Sequence, residues 1–223
     1  LDLRTTKSNA LIIIIMKLLQ AMTRGDRQTC NHQLSVLLQN EVFSINAEVL
    51  WKIATTAHKS RDWVETCLSQ EITKPIILWL HNLVRVSSSE PINSLIEQLL
   101  SSEYSDGKSL YRQLFVHDDP ETTIVEAQAT AKLIEIAKQY SQLDHIGIDE
   151  LIALIESNTQ TRLFSFSPNV GRHSKAVNLM SVHAAKGLEF DHVIIIDADE
   201  SNWKPSASRY PMPISLDIHV GLE

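Results

Sequence analysis

The chain has 223 residues, 43% of them hydrophobic, enough for one large or two small cores. Its formal net charge of −7 argues against a domain that grips nucleic acid through bulk charge. The longest apolar run, Ala10–Met16, falls far short of the ~18–20 residues of a membrane span, and no small-residue cleavage pattern follows it.

The N-terminal two-thirds reads as helical. Asn9–Met22 carries a helix-length apolar pattern, although the β-branched run Ile12–Ile15 favours strand locally; length and the Lys17-Leu18-Leu19 continuation decide for helix. Gly25-Asp26 closes it. Asn31–Gln39 places Leu34, Leu37 and Leu38 on one face. Asn46 is suited to cap a helix running through His58. Asp62–Ser69 is a short helical candidate, and Pro75–Val86 should bury Ile76, Leu80, Leu83 and Val84. Ser89-Glu90-Pro91 starts another helix with Leu95, Leu99 and Leu100 inward. Asp119-Pro120 opens the longest one, to about Tyr140, with Ile124, Ala127, Ala131, Ile134 and Ala137 or Tyr140 as its apolar side. Asp149–Glu156 follows, with Leu151, Ile152, Leu154 and Ile155. Residues 158–174 are polar and weakly periodic, and read as a linker. No internal repeat is evident.

Side chains with chemical potential are sparse here. The two cysteines, Cys30 and Cys67, lack metal-type spacing and read as reduced, buried thiols. His117-Asp118-Asp119 precedes Pro120 at a helix start, where capping and helix-dipole complementarity explain it better than metal binding. Asp144 and His145 fall in a turn without an identifiable partner. Trp51, Trp63 and Trp79 are spaced along helices and are expected in the core. Trp203, in a loop after a strand, is the better base-stacking candidate.

The end of the chain is different. Val177–Val182 and the unbroken run Val193–Ile196 have strand character, and continuous apolar runs suit parallel strands covered on both faces. Between them lies a polar turn with His183, Lys186 and Glu189, and Gly187 among them. Ligands gather at the carboxyl ends of parallel strands. Lys186 offers a point charge to phosphate. His183 is able to bond a phosphate or stack on a base. Glu189 is able to accept from a ribose hydroxyl, and Gly187 permits backbone geometry a Cβ would forbid. Arg172, His173, Lys175, His183 and Lys186 form a modest basic cluster, which charge alone leaves equally open as a solvated loop. Val193–Asp199 also has the outline of a Walker B strand, but no Walker A run accompanies it, so a buried strand ending in an acidic turn is the better reading.

Ser181-Val182-His183-Ala184-Ala185-Lys186-Gly187-Leu188-Glu189-Phe190 resembles motif V of the UvrD/Rep-type superfamily 1 DNA helicases. Ser181 replaces the usual Thr and keeps the hydroxyl; Asp197 stands where the family more often has Gly; Trp203-Lys204-Pro205 loosely fits its aromatic-proline element. The resemblance implies a fold that is mainly α: a helical 2B-like subdomain over residues 1–172, then a partial RecA-like α/β segment with parallel strands over 173–223. It implies that Ser181 and His183 face DNA, and that Lys186, Gly187 and Glu189 lie at the nucleotide cleft. The parent would couple ATP hydrolysis to 3′-to-5′ movement on single-stranded DNA. The glycine-rich Walker A loop and arginine-rich motif VI are missing, so the chain is expected to be a fragment without catalytic residues, inactive alone. ATP and Mg²⁺ would be bound mainly by the parent's absent residues. Expected partners are single-stranded or partly duplex DNA, the missing RecA-like domain, and protein partners of the helical subdomain; the expected place is cytoplasmic, with no membrane. The alternatives are a non-catalytic DNA- or protein-binding module, or a degenerate helicase relative.

Overall fold

The computed structural model describes residues 1–116, 119–143, 147–157, 162–168, 177 and 179–196. Contacts divide the chain into two compact units, Leu1–Arg172 and His173–Glu223.

The first unit is built around one very apolar helix, α1 (Lys7–Arg24), which packs against most of its neighbours. Leu11, Ile12, Ile15, Met16, Leu18 and Leu19 are all buried. That wide buried face overrides the local strand preference of four consecutive isoleucines. Gly25 ends α1 in the left-handed region (φ 69°), and its N–H returns to the last turn. Asp26 then caps α2 (Arg27–Leu38) by accepting from Thr29 N at 3.1 Å. Gly25 closes α1 as expected, and with Asp26 it makes a helical hairpin.

The succeeding helices follow the sequence pattern closely. Asn46 caps α3 (Ala47–Ser60) through Glu48 N at 2.8 Å. Asp62 caps α4 (Trp63–Leu68) through Glu65 N at 3.0 Å. α5 (Lys74–Ser87) buries Ile76, Ile77, Trp79, Leu80 and Leu83, and α6 (Ile92–Ser101) buries Leu95, Ile96 and Leu99. Next come two short features that the pattern did not predict, the hairpin β1 (Glu103–Ser105) and β2 (Lys108–Ser109), and α7 (Leu110–Phe115). The hairpin turns at Gly107 (φ 67°) and inserts Tyr104 into the core. Tyr104 donates to the Val42 carbonyl at 2.9 Å and lies against the rings of Phe43 and Trp79. These strands are too short for period-2 alternation to register. α8 (Pro120–Leu143) and α9 (Ile148–Ser157) complete the helices among the described residues. Asp119 accepts from Glu121 N and Thr122 N at 3.2 Å each, the capping expected of it. His117, Asp118, Asp144 and His145 lie outside the described residues.

Three expectations about burial are corrected. The inward face of α8 is Glu126, Ala129, Thr130, Leu133, Ile136 and Ala137; Ile124, Ala127 and Ala131 are exposed. Apolar periodicity misplaced the helix because two of its inward residues are polar. Glu126 accepts from Lys7 N (3.1 Å), Ser8 N (2.8 Å) and Ser8 Oγ (2.5 Å). Thr130 donates to Ser8 Oγ and Asn9 Oδ1. Thr6, at the head of α1, makes no side-chain cap; its hydroxyl turns to the Leu3 carbonyl. The α1 N-terminus is therefore capped from another helix.

The second correction is Trp51. Trp79 is core as expected and Trp63 is half-buried, but Trp51 is 71% exposed, because α3 buries only Ile53 and Ala57. The third concerns part of the segment read as linker. Leu1 and Phe166 exchange backbone hydrogen bonds (3.0 and 2.9 Å), and Phe164 is 1% exposed. The Arg4 guanidinium lies 5.4 Å from the Phe164 ring centroid and is held by Asp2, whose carboxyl stays below its ordinary range through that bond. A pairing partner 165 residues away is invisible to local periodicity.

Both cysteines are buried and free. Burial pushes the Cys30 thiol up to about 11 and Cys67 to about 12. Since the thiolate is the nucleophile, neither should react with a disulfide reagent such as DTNB at pH 8 in the folded chain. Both should react at once in denaturing urea, and prompt labelling of the native chain would contradict their burial.

Among its described residues the second unit has a turn over residues 182–187 and no paired strand. Val177, Leu179 and Val193–Ile196 are exposed, Ile194 at 87%. A strand exists by its ladder of hydrogen bonds to neighbours, and a parallel one needs a crossover to reach them. Among the described residues nothing supplies that ladder. The basic residues Arg172, His173 and Lys175, and Asp197 and Trp203, lie outside the described residues.

Candidate functional site

The motif segment folds as one helical turn with a cap at each end. Ser181 starts it: its carbonyl accepts from Ala185 N at 3.0 Å and its hydroxyl accepts from Ala184 N at 3.3 Å. That is the work of an N-cap serine, and it gives the hydroxyl at this position a local structural reason. A hydroxyl has a second lone pair and a proton, so Ser181 keeps a donor for an external acceptor. Lys186 N reaches the His183 carbonyl at 3.4 Å, and Leu188 N reaches the Ala185 carbonyl at 3.0 Å. Gly187 ends the turn at φ 81°. A Cβ there would meet no atom within 4 Å. The backbone conformation, not space, is what asks for glycine.

This geometry sorts the expected site residues. His183 and Lys186 are three apart on a helical turn, which puts them on one side. Both are exposed. Glu189 follows the reversal at Gly187 and is exposed as well. No ion pair joins Lys186 to Glu189 among the described residues. Ala185 and Leu188 are the half-buried positions, so the polar side chains project outward.

The donor set suits a nucleotide or a phosphodiester. It offers an ammonium, an imidazole and a hydroxyl to phosphate oxygens, and a carboxylate to a ribose hydroxyl. Mg²⁺ asks for several oxygen ligands converging at one point. Among the described residues no group of three His, Cys, Asp or Glu is placed to hold a metal ion. No described helix is long and apolar enough to cross a membrane.

Comparison with known proteins points the same way as the motif. The model of the UvrD-like helicase C-terminal domain matches residues 6–209. An ATP-dependent helicase/nuclease subunit from Streptococcus pyogenes serotype M5 (strain Manfredo) is 25% identical over 199 residues, covering 83% of this chain and 16% of that protein. The protein of the same name from Streptococcus equi subsp. zooepidemicus (strain H70) is 29% identical over 109 residues, 49% of this chain and 9% of its own length. The chain thus spans about one-sixth or less of these curated relatives. No solved structure matches it. With that family model matched over most of its length, the chain belongs to the UvrD-like helicase C-terminal domain family.

Proposed function

We propose that this chain supplies the motif V region of an ATP-dependent DNA helicase that moves 3′ to 5′ on single-stranded DNA. Residues 1–172 serve as the helical 2B-like subdomain, and 173–223 as the motif V part of a RecA-like 2A domain with parallel strands. Ser181 and His183 contact the translocating strand. Lys186, Gly187 and Glu189 border the nucleotide, with Lys186 toward phosphate and Glu189 toward ribose. ATP and Mg²⁺ are held mainly by the partner RecA-like domain of the longer protein. The observation that carries the reading is the capped turn Ser181–Gly187, which presents His183 and Lys186 together on its outer side.

In this role the chain's own residues do positional work. The serine cap and Gly187 fix the turn, so that strand contacts and nucleotide contacts sit within one short segment. A shift in one set then moves the other, as coupled closure of two domains requires.

The test is a salt titration of a fluorescein-labelled 20-mer of oligo-dT. The His183→Ala/Lys186→Ala double variant should bind at least fivefold more weakly, with a salt slope shallower by about 0.7 for the lost lysine. The chain alone should turn over no ATP. Unchanged affinity in the double variant, or ATP turnover that co-purifies with the chain, would overturn the reading.

A further inference from the structure

We propose that the turn between β1 and β2 is a site of covalent self-modification, at which Asp106 and Gly107 cyclise and reopen as an L-isoaspartyl linkage. Asp106-Gly107 is the only Asp-Gly or Asn-Gly step in the chain. It lies in the hairpin turn because glycine adopts the left-handed conformation found there (φ 67°) at no steric cost.

The reaction joins two atoms one residue apart, and both are uncommitted. The nucleophile is the Gly107 amide nitrogen. Its N–H makes no hydrogen bond among the described residues, because the ladder pairs Ser105 with Lys108 and passes it by. The electrophile is Asp106 Cγ. The Asp106 carboxyl has no hydrogen bond or ion pair among the described residues, and both residues are exposed. Gly107 has no Cβ to crowd the approach. Other aspartates of the helical unit are held. Asp26, Asp62 and Asp119 cap helices, Asp2 is clamped by Arg4, and Asp149 is bound by Gln20 and Arg24. A carboxyl that accepts such bonds is not free to swing onto the next amide.

The chemistry balances without an outside reagent other than water. The Gly107 nitrogen bonds to Cγ of the protonated carboxyl, and the carboxyl hydroxyl leaves with the amide proton as water. The product is a five-membered succinimide. Water then adds to one of its two carbonyls. When the ring opens between nitrogen and the Asp106 main-chain carbonyl carbon, the chain runs on through Cγ and the α-carboxylate is released. No atom is gained or lost overall, and nothing is oxidised.

The turn's surroundings give the change a structural effect. Two anchors flank it. Tyr104 is 3% exposed on one side, and Ser109 caps α7 by accepting from Arg112 N at 3.4 Å on the other. Arg112 Nη1 also donates to the Gly107 carbonyl at 3.0 Å, fixing the second half of the turn. The isoaspartyl linkage inserts one methylene into the main chain, ~1.5 Å of extra length. A two-residue turn has no slack for it, so the Ser105–Lys108 pairing is lost and Tyr104 is loosened from Val42, Phe43 and Trp79.

The experiment incubates the folded full chain at neutral pH for weeks, beside a synthetic peptide of residues 101–112. Isoaspartate is measured with radiolabelled S-adenosylmethionine and a carboxyl methyltransferase specific for L-isoaspartyl residues, and placed by electron-transfer fragmentation. An exposed turn is open to the reaction in the folded chain, so the rate at Asp106 should lie within about threefold of the peptide's. Asp106→Glu should abolish the labelling, since its ring would need six members. Asp106→Asn should accelerate it, because a neutral amide is a better electrophile than a carboxylate. Circular dichroism melts check that both variants fold. Urea unfolding of the aged chain should show a converted fraction with a lower midpoint, absent from aged Asp106→Glu. A folded-chain rate more than about tenfold below the peptide's would overturn the proposal, since the fold would then protect the turn. So would labelling that persists in Asp106→Glu. Equal midpoints of converted and fresh chain would overturn the loosening of Tyr104. None of these readings involves the motif V turn, so its assigned role is tested separately.

Discussion

Replacing Glu126 by alanine is expected to lower the unfolding free energy of the helical unit by about 3 kcal/mol. Glu126 is only 8% exposed and accepts three hydrogen bonds, from Lys7 N, Ser8 N and Ser8 Oγ. Bonds to a charged acceptor contribute more than neutral ones, and removing the acceptor leaves buried donors unpaired. The carboxylate also sits at the positive end of α1. No buried side-chain nitrogen or oxygen among the described residues lacks a partner, so no spare acceptor stands ready. Glu126→Gln keeps one acceptor oxygen and should cost roughly half as much. The measurement is urea unfolding followed by circular dichroism, with Ser8→Ala and the double variant completing a cycle. Residues in one network couple by about 0.5–3 kcal/mol. Strict additivity, or a Glu126→Ala loss below about 0.5 kcal/mol, would mean that α1 is not capped this way.

Phe164→Ala should cost about 3–5 kcal/mol, the usual range for removing a buried aromatic ring. A substitution in a true linker costs less than about 0.5 kcal/mol, so the two readings of residues 162–168 predict results far apart. Phe164 lies with Leu3 in the core, beside the pairing of Leu1 with Phe166 and of Asp2 with Ser165. Phe164→Leu, which keeps much of the volume, should be the milder change. A loss in the linker range for Phe164→Ala would detach this segment from the core.

Both experiments bear on places where sequence patterning misread burial, and the reason is common to them. Hydropathy assigns a glutamate to water, yet Glu126 is inward because α1 needs an anion at its head. The cap residue Thr6 gives no warning, since its hydroxyl is engaged with Leu3. Phe164 sits in a polar, irregular stretch, and its partners lie at the opposite end of the chain. Trp51 is the reverse case: an aromatic on a helix that has only two buried positions.

Local chemistry was readable wherever a residue acts on its own neighbours. Gly25-Asp26, Asn46, Asp62 and Asp119 announce their caps, and most apolar faces follow the period of the helix. The segment Ser181–Phe190 pointed to the family, because a single turn with its own cap and its own glycine is written within ten residues. What tertiary structure alone decided was which side of α8 faces inward, that residues 162–166 return to the N-terminus, and that Trp51 stays in water. The first two depend on groups distant in sequence, and a helix's apolar period carries no record of a polar partner supplied by another helix; the third depends on how little of α3 its neighbours cover.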